Sequence, residues 1–300
     1  MAKRKSKKQT KKLIGIIIAI ILAFFAYEAK DIVTENVAVS DFANGDAVYV
    51  HFIDVGQGSS TLIQKGTTGV LIDAGEKDYG DVVVDYLTAV GITELEFAVA
   101  SHPHSDHIGG LDEVLNAFPT DKIILPELEE FNTPTTRVYE DLLEAIYDNS
   151  VVAEFIFDEG YHVKYDDEIT FHAIAPVEQD DNLNNMSIVC YIDIFNTTFA
   201  VLADAEKEEL RSIYNNTAYD FGADIIALGH HGSSTSIYKP YLNAVNAYTA
   251  VISCGKDNSY GHPHEEALEY IAQNNMNCLR TDETGNIVFK LTAEGCSLVK

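Results

Sequence analysis

"SHPHSDHIGG", residues 101–110, sets three of the chain's ten histidines and an aspartate within six positions, directly after the apolar run "LEFAVA", residues 95–100. The apolar run reads as a buried strand, and it leads into a turn loaded with metal-ligating side chains. In an extended stretch, residues two apart point the same way, so His102 and His104 can grip one ion together. Asp106 and His107, at the turn into the next helix, can reach a second ion. Imidazole and carboxylate are ligands for Zn, Mn or Fe ions. Pro103 restricts the backbone between the two histidines, and Gly109 with Gly110 permits a tight turn against neighbouring backbone. A lone histidine here would be an incidental loop residue. H-x-H-x-D-H behind a buried strand is far better explained as a metal site.

Working outward, "AVYVHFIDV", "STLIQK" and "GVLIDAG" read as three consecutive strands with glycine-containing turns. Helical spacing comes next in "DVVVDYLTAVG", which ends at Gly91, and "GGLDEVLNAF" reads as the helix after the histidine turn. Further on, a helix over "TTRVYEDLLEAIYDNS" precedes strands at "EITFHAIAP", "MSIVCYIDI" and "TTFAVLAD". Then come a helix from Ala205, the strand "ADIIALG", a helix near "KPYLNAVN", the strand "AYTAVISC", a helix over "HEEALEYIAQN", and final strands "NIVFKL" and "CSLVK". Strand clusters interleaved with helices predict a layered α/β protein. No Pro/Gly/Ser-rich linker divides residues 46–300, which are expected to form one catalytic domain.

Charge is split sharply. Residues 1–12, "MAKRKSKKQTKK", hold seven of the 20 Lys and Arg and no acid, leaving 13 basic against 47 acidic residues in the remainder, a formal −34. Such a surface repels polyanions over long range unless bound cations or a local patch reverse the sign. The basic run leads into "LIGIIIAIILAFFAY", residues 13–27, which has no charge. This is expected to be an uncleaved membrane anchor, with the basic segment cytoplasmic, residues 28–45 a linker, and the body outside; a cleaved signal and secretion is the alternative. Cys190, Cys254, Cys278 and Cys296 form no C-x-x-C pair, and buried small side chains explain them as well as a disulfide does. No protein partner is evident.

H-x-H-x-D-H is the signature of the metallo-β-lactamase superfamily, which this sequence resembles. The similarity extends to the hydrolase domain of ComEC-type competence proteins, through "HFIDVGQGSSTLI", "GVLIDAG", "NNMSIVCYI", "FAVLADAEKEEL", "ADIIALGHHGSSTS", "AVISCGKDNSYGHP" and "RTDETGNI", over residues 48–290. The resemblance implies a four-layer αββα sandwich holding two divalent metal ions, Zn or Mn, where the sheets meet. It implies Asp204 as the carboxylate shared by both ions and His230 as the last ligand of the second. Both follow apolar strand-like runs, and Asp204 also stands where a helix N-cap would. Many members carry a further histidine completing the first site. His162 and His172 lie in the right interval but in strand-like segments, and Asn185 falls nearer the expected place as a weak ligand. Ser59 stands where the family often has an acid.

Two ions held in this way would activate a water and neutralise charge on a phosphoryl or carbonyl oxygen. Asp106 would orient the nucleophile while ligating. His231 and His262 are candidates to touch the scissile group or protonate the leaving oxygen. Ser233 and Ser234, with Ser236, could donate to a phosphate, though a plain turn explains them equally. Asp54 and Asp73 read as supports of the metal loop rather than ligands. The expected function is metal-dependent hydrolysis, foremost of a phosphodiester, with nucleic acid or a small diester as substrate. The acidic body opposes a nucleic acid, since backbone binding is largely cationic. The alternatives are hydrolysis of another ester, phosphoester or lactone, and a non-catalytic extracellular metal-binding or sensing protein.

Overall fold

The computed structural model describes residues 42–157, 161–174, 176–215, 219 and 221–300. The basic segment, the anchor at 13–27 and most of the linker lie outside the described residues; among those described, no helix is long and apolar enough to cross a membrane.

Two sheets form the centre. The first contains β1 (Val48–Phe52), β2 (Thr61–Lys65), β3 (Thr68–Ile72), β4 (Glu94–Val99), β5 (Thr120–Pro126), β6 (Val152–Ile156), β14 (Ile287–Thr292) and β15 (Gly295–Leu298). Its order is β15-β14-β1-β2-β3-β4-β5-β6. The second contains β7 (Tyr161–Lys164), β8 (Ile169–Ile174), β9 (Val189–Ile194), β10 (Thr197–Val201), β11 (Ile225–Ala227), β12 (Thr249–Ile252) and β13 (Asn277–Arg280), in the order β13-β12-β11-β10-β9-β8-β7. In each sheet the strands that carry the site run parallel: β3 beside β4, and β10 beside β11 beside β12.

The period-two pattern of the strands divides the apolar side chains between faces. Val48, Val50 and Phe52 of β1 enter the core between the sheets, together with Phe97, Phe171, Phe199 and Phe289. Tyr49 turns the other way, into a core under α1 (Gly80–Ala89), α3 (Leu111–Ala117) and α4 (Arg137–Asp148). The far face of the second sheet packs under α5 (Lys207–Asn215), α6 (Lys239–Val245) and α7 (Glu265–Gln273). Three cores between four layers give the sandwich expected from the motif. Helical spacing drives the outer layers: Val83, Tyr86 and Leu87 of α1, and Tyr139, Leu142 and Ile146 of α4, are the buried positions. Thr136 caps α4 by accepting from the Tyr139 amide.

Several details differ from the sequence pattern. The helix expected over "GGLDEVLNAF" is α3, and a further short helix, α2 (Ser105–Ile108), precedes it within the histidine turn, separated by Gly109 and Gly110. A Cβ on Gly110 would meet the Ala74 carbonyl at 2.5 Å, so the chain must turn there with no side chain. Strands β5, β6, β7 and β13 were not expected, because their residues are short, mixed or half-exposed runs at or near sheet edges. Phe42, within the stretch read as linker, is buried edge-on against Tyr49 with centroids 4.7 Å apart. All four cysteines are free thiols.

Candidate metal centre

The centre sits at the carboxyl ends of the parallel strands, where layered α/β proteins place ligand sites. β4 delivers Ser101 and the histidine turn, β10 leads through Ala203 to Asp204, and β11 leads to His230 and His231. Backbone bonds fasten the turn to its neighbours: Ala74 N–H donates to the His107 carbonyl at 2.7 Å, and Ser59 N–H to the Asp106 carbonyl at 3.1 Å. Asp73, Ala203, His230 and His231 all hold positive φ, at 59°, 46°, 50° and 53°. Left-handed backbone costs a side-chain-bearing residue of order 1 kcal/mol or more, and such strain gathers where a site must aim its groups.

Two ligand groups share one carboxylate. His102, His104 and Asp204 form the first, and Asp106, His107, Asp204 and His231 the second, with the donor atoms of each group within 4.8 Å of one another. Within them His102 Nε2 stands 3.1 Å from His104 Nδ1, His107 Nε2 3.0 Å from Asp204 Oδ1, and His231 Nε2 3.1 Å from Asp106 Oδ2.

Each buried histidine is turned by an oxygen behind it. His231 Nδ1–H donates to the Ser253 carbonyl at 2.9 Å, and His107 Nδ1–H to Asp73 Oδ2 at 2.7 Å. Ser101 Oγ–H donates to Asp73 Oδ2 at 2.7 Å and so accepts from His102 Nδ1–H at 3.1 Å. All three rings therefore direct Nε2 into the centre, the arrangement typical of metal-binding histidines. His107 Nε2 and Asp204 Oδ1 are buried with no hydrogen-bond partner. Orphaned acceptors converging on one point fit a divalent cation, which would satisfy them together.

The charges are coupled in the same sense. Burial would lower His107, but the carboxylates of Asp204 and Asp73 push it well above the usual imidazole range. Burial likewise opposes the charged form of Asp204, yet His107 and His231 hold it well below the carboxylate range. Burial and the neighbouring His107 charge push His102 well down. A divalent ion would supply the positive charge these carboxylates otherwise draw from protonated histidines.

His230, expected as the last ligand of the second ion, stands beside His231 in the centre. His231 joins the second ligand group, while His230 holds its Nδ1 3.2 Å from Glu206 and 3.0 Å from Thr235 Oγ1 and its Nε2 3.7 Å from Asp204 Oδ2. With both residues in left-handed backbone, the turn swings the second imidazole inward. Asn185 does not face the centre: its amide donates to Asp180 Oδ2 at 2.7 Å and its oxygen accepts from Glu206 N–H at 3.3 Å. His162 and His172 face each other across β7 and β8, with His172 Nε2 3.1 Å from Asp193, and line a different cavity.

A cavity of about 310 Å³ opens over the ligand groups, lined by Gln57, His104, Ser105, Asp106, Asn184, Asp204, His230, His231, Tyr260 and His262. His262 is part of this lining, held neutral by burial, which with the charge of His231 lowers it to about 4. Ser233 and Ser234 are absent from that lining. The Ser233 hydroxyl accepts from Thr235 N–H, and Ser234 N–H donates to His264 Nδ1 at 3.0 Å, so both serve the turn. Asp54 accepts from Gly56 N–H at 3.1 Å and shapes the loop that carries Gln57. α5 begins at Lys207, past Asp204, whose carboxylate is committed to the histidines. Ser101, Gln57, Asn184 and Tyr260 escaped the sequence reading. Each lies within or beside a quoted motif, but none is a metal-ligating type that would draw notice.

Comparisons with known proteins show the family and the fold. The family model described as metallo-beta-lactamase superfamily matches residues 53–230. ComE operon protein 3 of Bacillus subtilis is 29% identical over 80% of this chain and 33% of its own length. Competence protein ComA of Neisseria gonorrhoeae is 29% identical over 81% of this chain and 32% of its own. The chain thus spans about a third of the length of these curated relatives. Among solved structures, CmlA, a diiron beta-hydroxylase from Streptomyces venezuelae, superposes with a TM-score of 0.54 at 11% identity, covering 83% of this chain and 55% of that one. At that identity the likeness is one of fold.

Proposed function

The chain belongs to the metallo-beta-lactamase superfamily and is a metal-dependent hydrolase of that fold, and from this premise we propose that it cleaves phosphodiesters. The observation that carries the proposal is the pair of ligand groups joined through Asp204 at the floor of an open cavity. His102, His104 and Asp204 would hold one divalent ion, Zn or Mn, and Asp106, His107, Asp204 and His231 a second. Bound there, such ions lower the pKa of water and stabilise anionic charge on a phosphoryl oxygen. The chain's own residues do the rest. Asp73, Ser101 and the Ser253 carbonyl fix the rings. Asp106, held low by its bond to His231 against the opposing effect of burial, stays an acceptor that can orient an attacking water. His262, neutral near pH 7, offers a ring N–H to the departing oxygen from the cavity wall.

Kinship with proteins named for competence supports nucleic acid as one such diester. The cavity's lack of Lys or Arg among its described lining residues favours the second reading, a small ester or lactone. The test is hydrolysis of bis-p-nitrophenyl phosphate by the full chain, with and without chelator, beside p-nitrophenyl acetate. Chelator-sensitive turnover of the diester supports the proposal; turnover of the acetate alone refutes it. We further propose that residues 13–27 anchor the chain with its body outside the cell. Protease added to intact cells should then digest the body, and protection of the whole chain would refute that orientation.

A further inference from the structure

The wall of the cavity above the ligand groups carries an aromatic ring that is left mostly exposed. Tyr260 is 65% exposed, yet its backbone is firmly held. Asn258 Oδ1 accepts from the amides of Tyr260 at 3.2 Å and His262 at 3.0 Å, while Asn258 Nδ2 donates to the carbonyls of Gly255 at 2.9 Å and His262 at 2.6 Å. His264, whose Nδ1 accepts from Ser234, donates its Nε2–H to the Tyr260 carbonyl at 3.3 Å. The ring lies nearly parallel to the His262 imidazole, at 20° with centroids 5.6 Å apart. A rigid loop thus presents a flat face beside the ligand groups without burying it in the protein.

The same cavity lacks the usual means of holding a polyanion. None of its described lining residues is Lys or Arg, and the adjoining cavity of about 400 Å³, which shares Gln57, adds only Lys256 beside Asp54 and Asp282. Stacking needs no positive charge and accepts any base, because every base has a π-face. It does need the base out of a duplex, where its faces are already covered.

We propose that Tyr260 is the stacking platform for a nucleobase next to the scissile phosphate, so that the substrate is a single-stranded nucleic acid. The proposal rests on the phosphodiesterase reading and adds how the substrate is held. Orientation comes from the ring pair Tyr260–His262, with the phosphate below it among Ser105, His230 and the ligand groups. Tyr260 is a positioning residue, acting on the base rather than on the reacting atoms.

The experiment is a fluorescence titration of the full chain with a phosphorothioate-linked trinucleotide carrying 2-aminopurine, whose emission is quenched on stacking. Wild type should quench it saturably, Tyr260→Leu should weaken binding about tenfold, and Tyr260→Phe should stay within about twofold of wild type. An anisotropy titration with an end-labelled abasic trinucleotide completes a double-mutant cycle: removing ring and base together should cost no more than removing either. A Tyr260→Leu affinity within twofold of wild type, or an equal further loss on the abasic ligand, would overturn the platform. The two readings fail separately. Chelator-sensitive diester turnover with trinucleotide binding indifferent to Tyr260 sinks the platform alone. Tyr260-dependent quenching without diester turnover keeps Tyr260 as a base-stacking residue but overturns both the phosphodiesterase and the placing of that base beside a scissile phosphate.

Discussion

Replacing Asp73 with asparagine changes one buried oxygen to an amide nitrogen and leaves the side-chain shape intact. Asp73 accepts from Ser101 N–H at 2.8 Å, Ser101 Oγ–H at 2.7 Å and His107 Nδ1–H at 2.7 Å. Asparagine can keep its oxygen toward the Ser101 amide, but its NH₂ then meets two donors. The His107 ring relieves this by shifting its proton from Nδ1 to Nε2, which aims a hydrogen where a lone pair must be. Partners behind metal-bound histidines typically contribute 10- to 100-fold in metal affinity, so Asp73→Asn should lose about 1.4 to 2.8 kcal/mol of binding at the group that contains His107. Competition against a chromophoric chelator measures it, with circular dichroism to establish that the fold persists. Excess metal should restore most of the hydrolysis. Unchanged affinity in a folded Asp73→Asn protein would show that His107 is not oriented from behind, and the tautomer argument would fall with it.

Three further outcomes are expected from other parts of the molecule. His231→Ala should lose about one metal equivalent and all but a trace of hydrolysis, whereas His230→Ala should keep its metal; elemental analysis decides, and the reverse pattern would restore the sequence-based assignment. At Gly58 a Cβ would stand 2.6 Å from the Asp106 carbonyl and 3.3 Å from Gly75 Cα, so Gly58→Ala should cost roughly 1–3 kcal/mol in urea unfolding and lower kcat about tenfold or more; wild-type behaviour would mean the loop yields freely. Burial pushes the Glu209 carboxyl up to about 8. Between its unfolded value near 4.5 and that figure the folded state holds a proton that the unfolded state lacks, so stability should fall as pH rises through this window. Glu209→Gln should remove that slope and gain roughly 2–4 kcal/mol at pH 9; equal slopes in urea melts of both proteins would refute it.

The motif, the sandwich and most of the elements were legible because they rest on short-range rules. His102, His104, Asp106 and His107 lie within six residues, and period-two alternation in β1 or helical spacing in α4 needs no knowledge of the partner surface. What escaped depends on backbone geometry or on distant contacts. The inward turn of His231 follows from two left-handed residues in succession, which their side chains do not announce. Asn185 is turned from its expected place by the Asp180 carboxylate and the Glu206 backbone amide, contacts that its own segment does not announce. Strand β13 has a half-exposed edge whose pattern matches a loop, and it becomes a strand only because Thr249–Ile252 is there to pair with it. Ser101 is hidden for another reason: its importance lies in joining His102 to Asp73, which requires β3 and β4 to be neighbours.

The shared carboxylate has a mechanical consequence. His102, His104, Asp106 and His107 hang from the first sheet, and Asp204 and His231 from the second, so the centre is a clasp across the seam between them. Neither half of the chain supplies the whole ligand set, and Phe52, Phe97 and Phe199 pack in the core between the two sheets that carry it. A substitution deep in that seam that lets the layers slip by an ångström would disable the chemistry without touching a ligand. Filling the clasp works in the opposite direction, welding the layers: a metal at 100 times its dissociation constant adds about 2.7 kcal/mol against unfolding. Metal supply would then set how long the protein lasts as well as how fast it works.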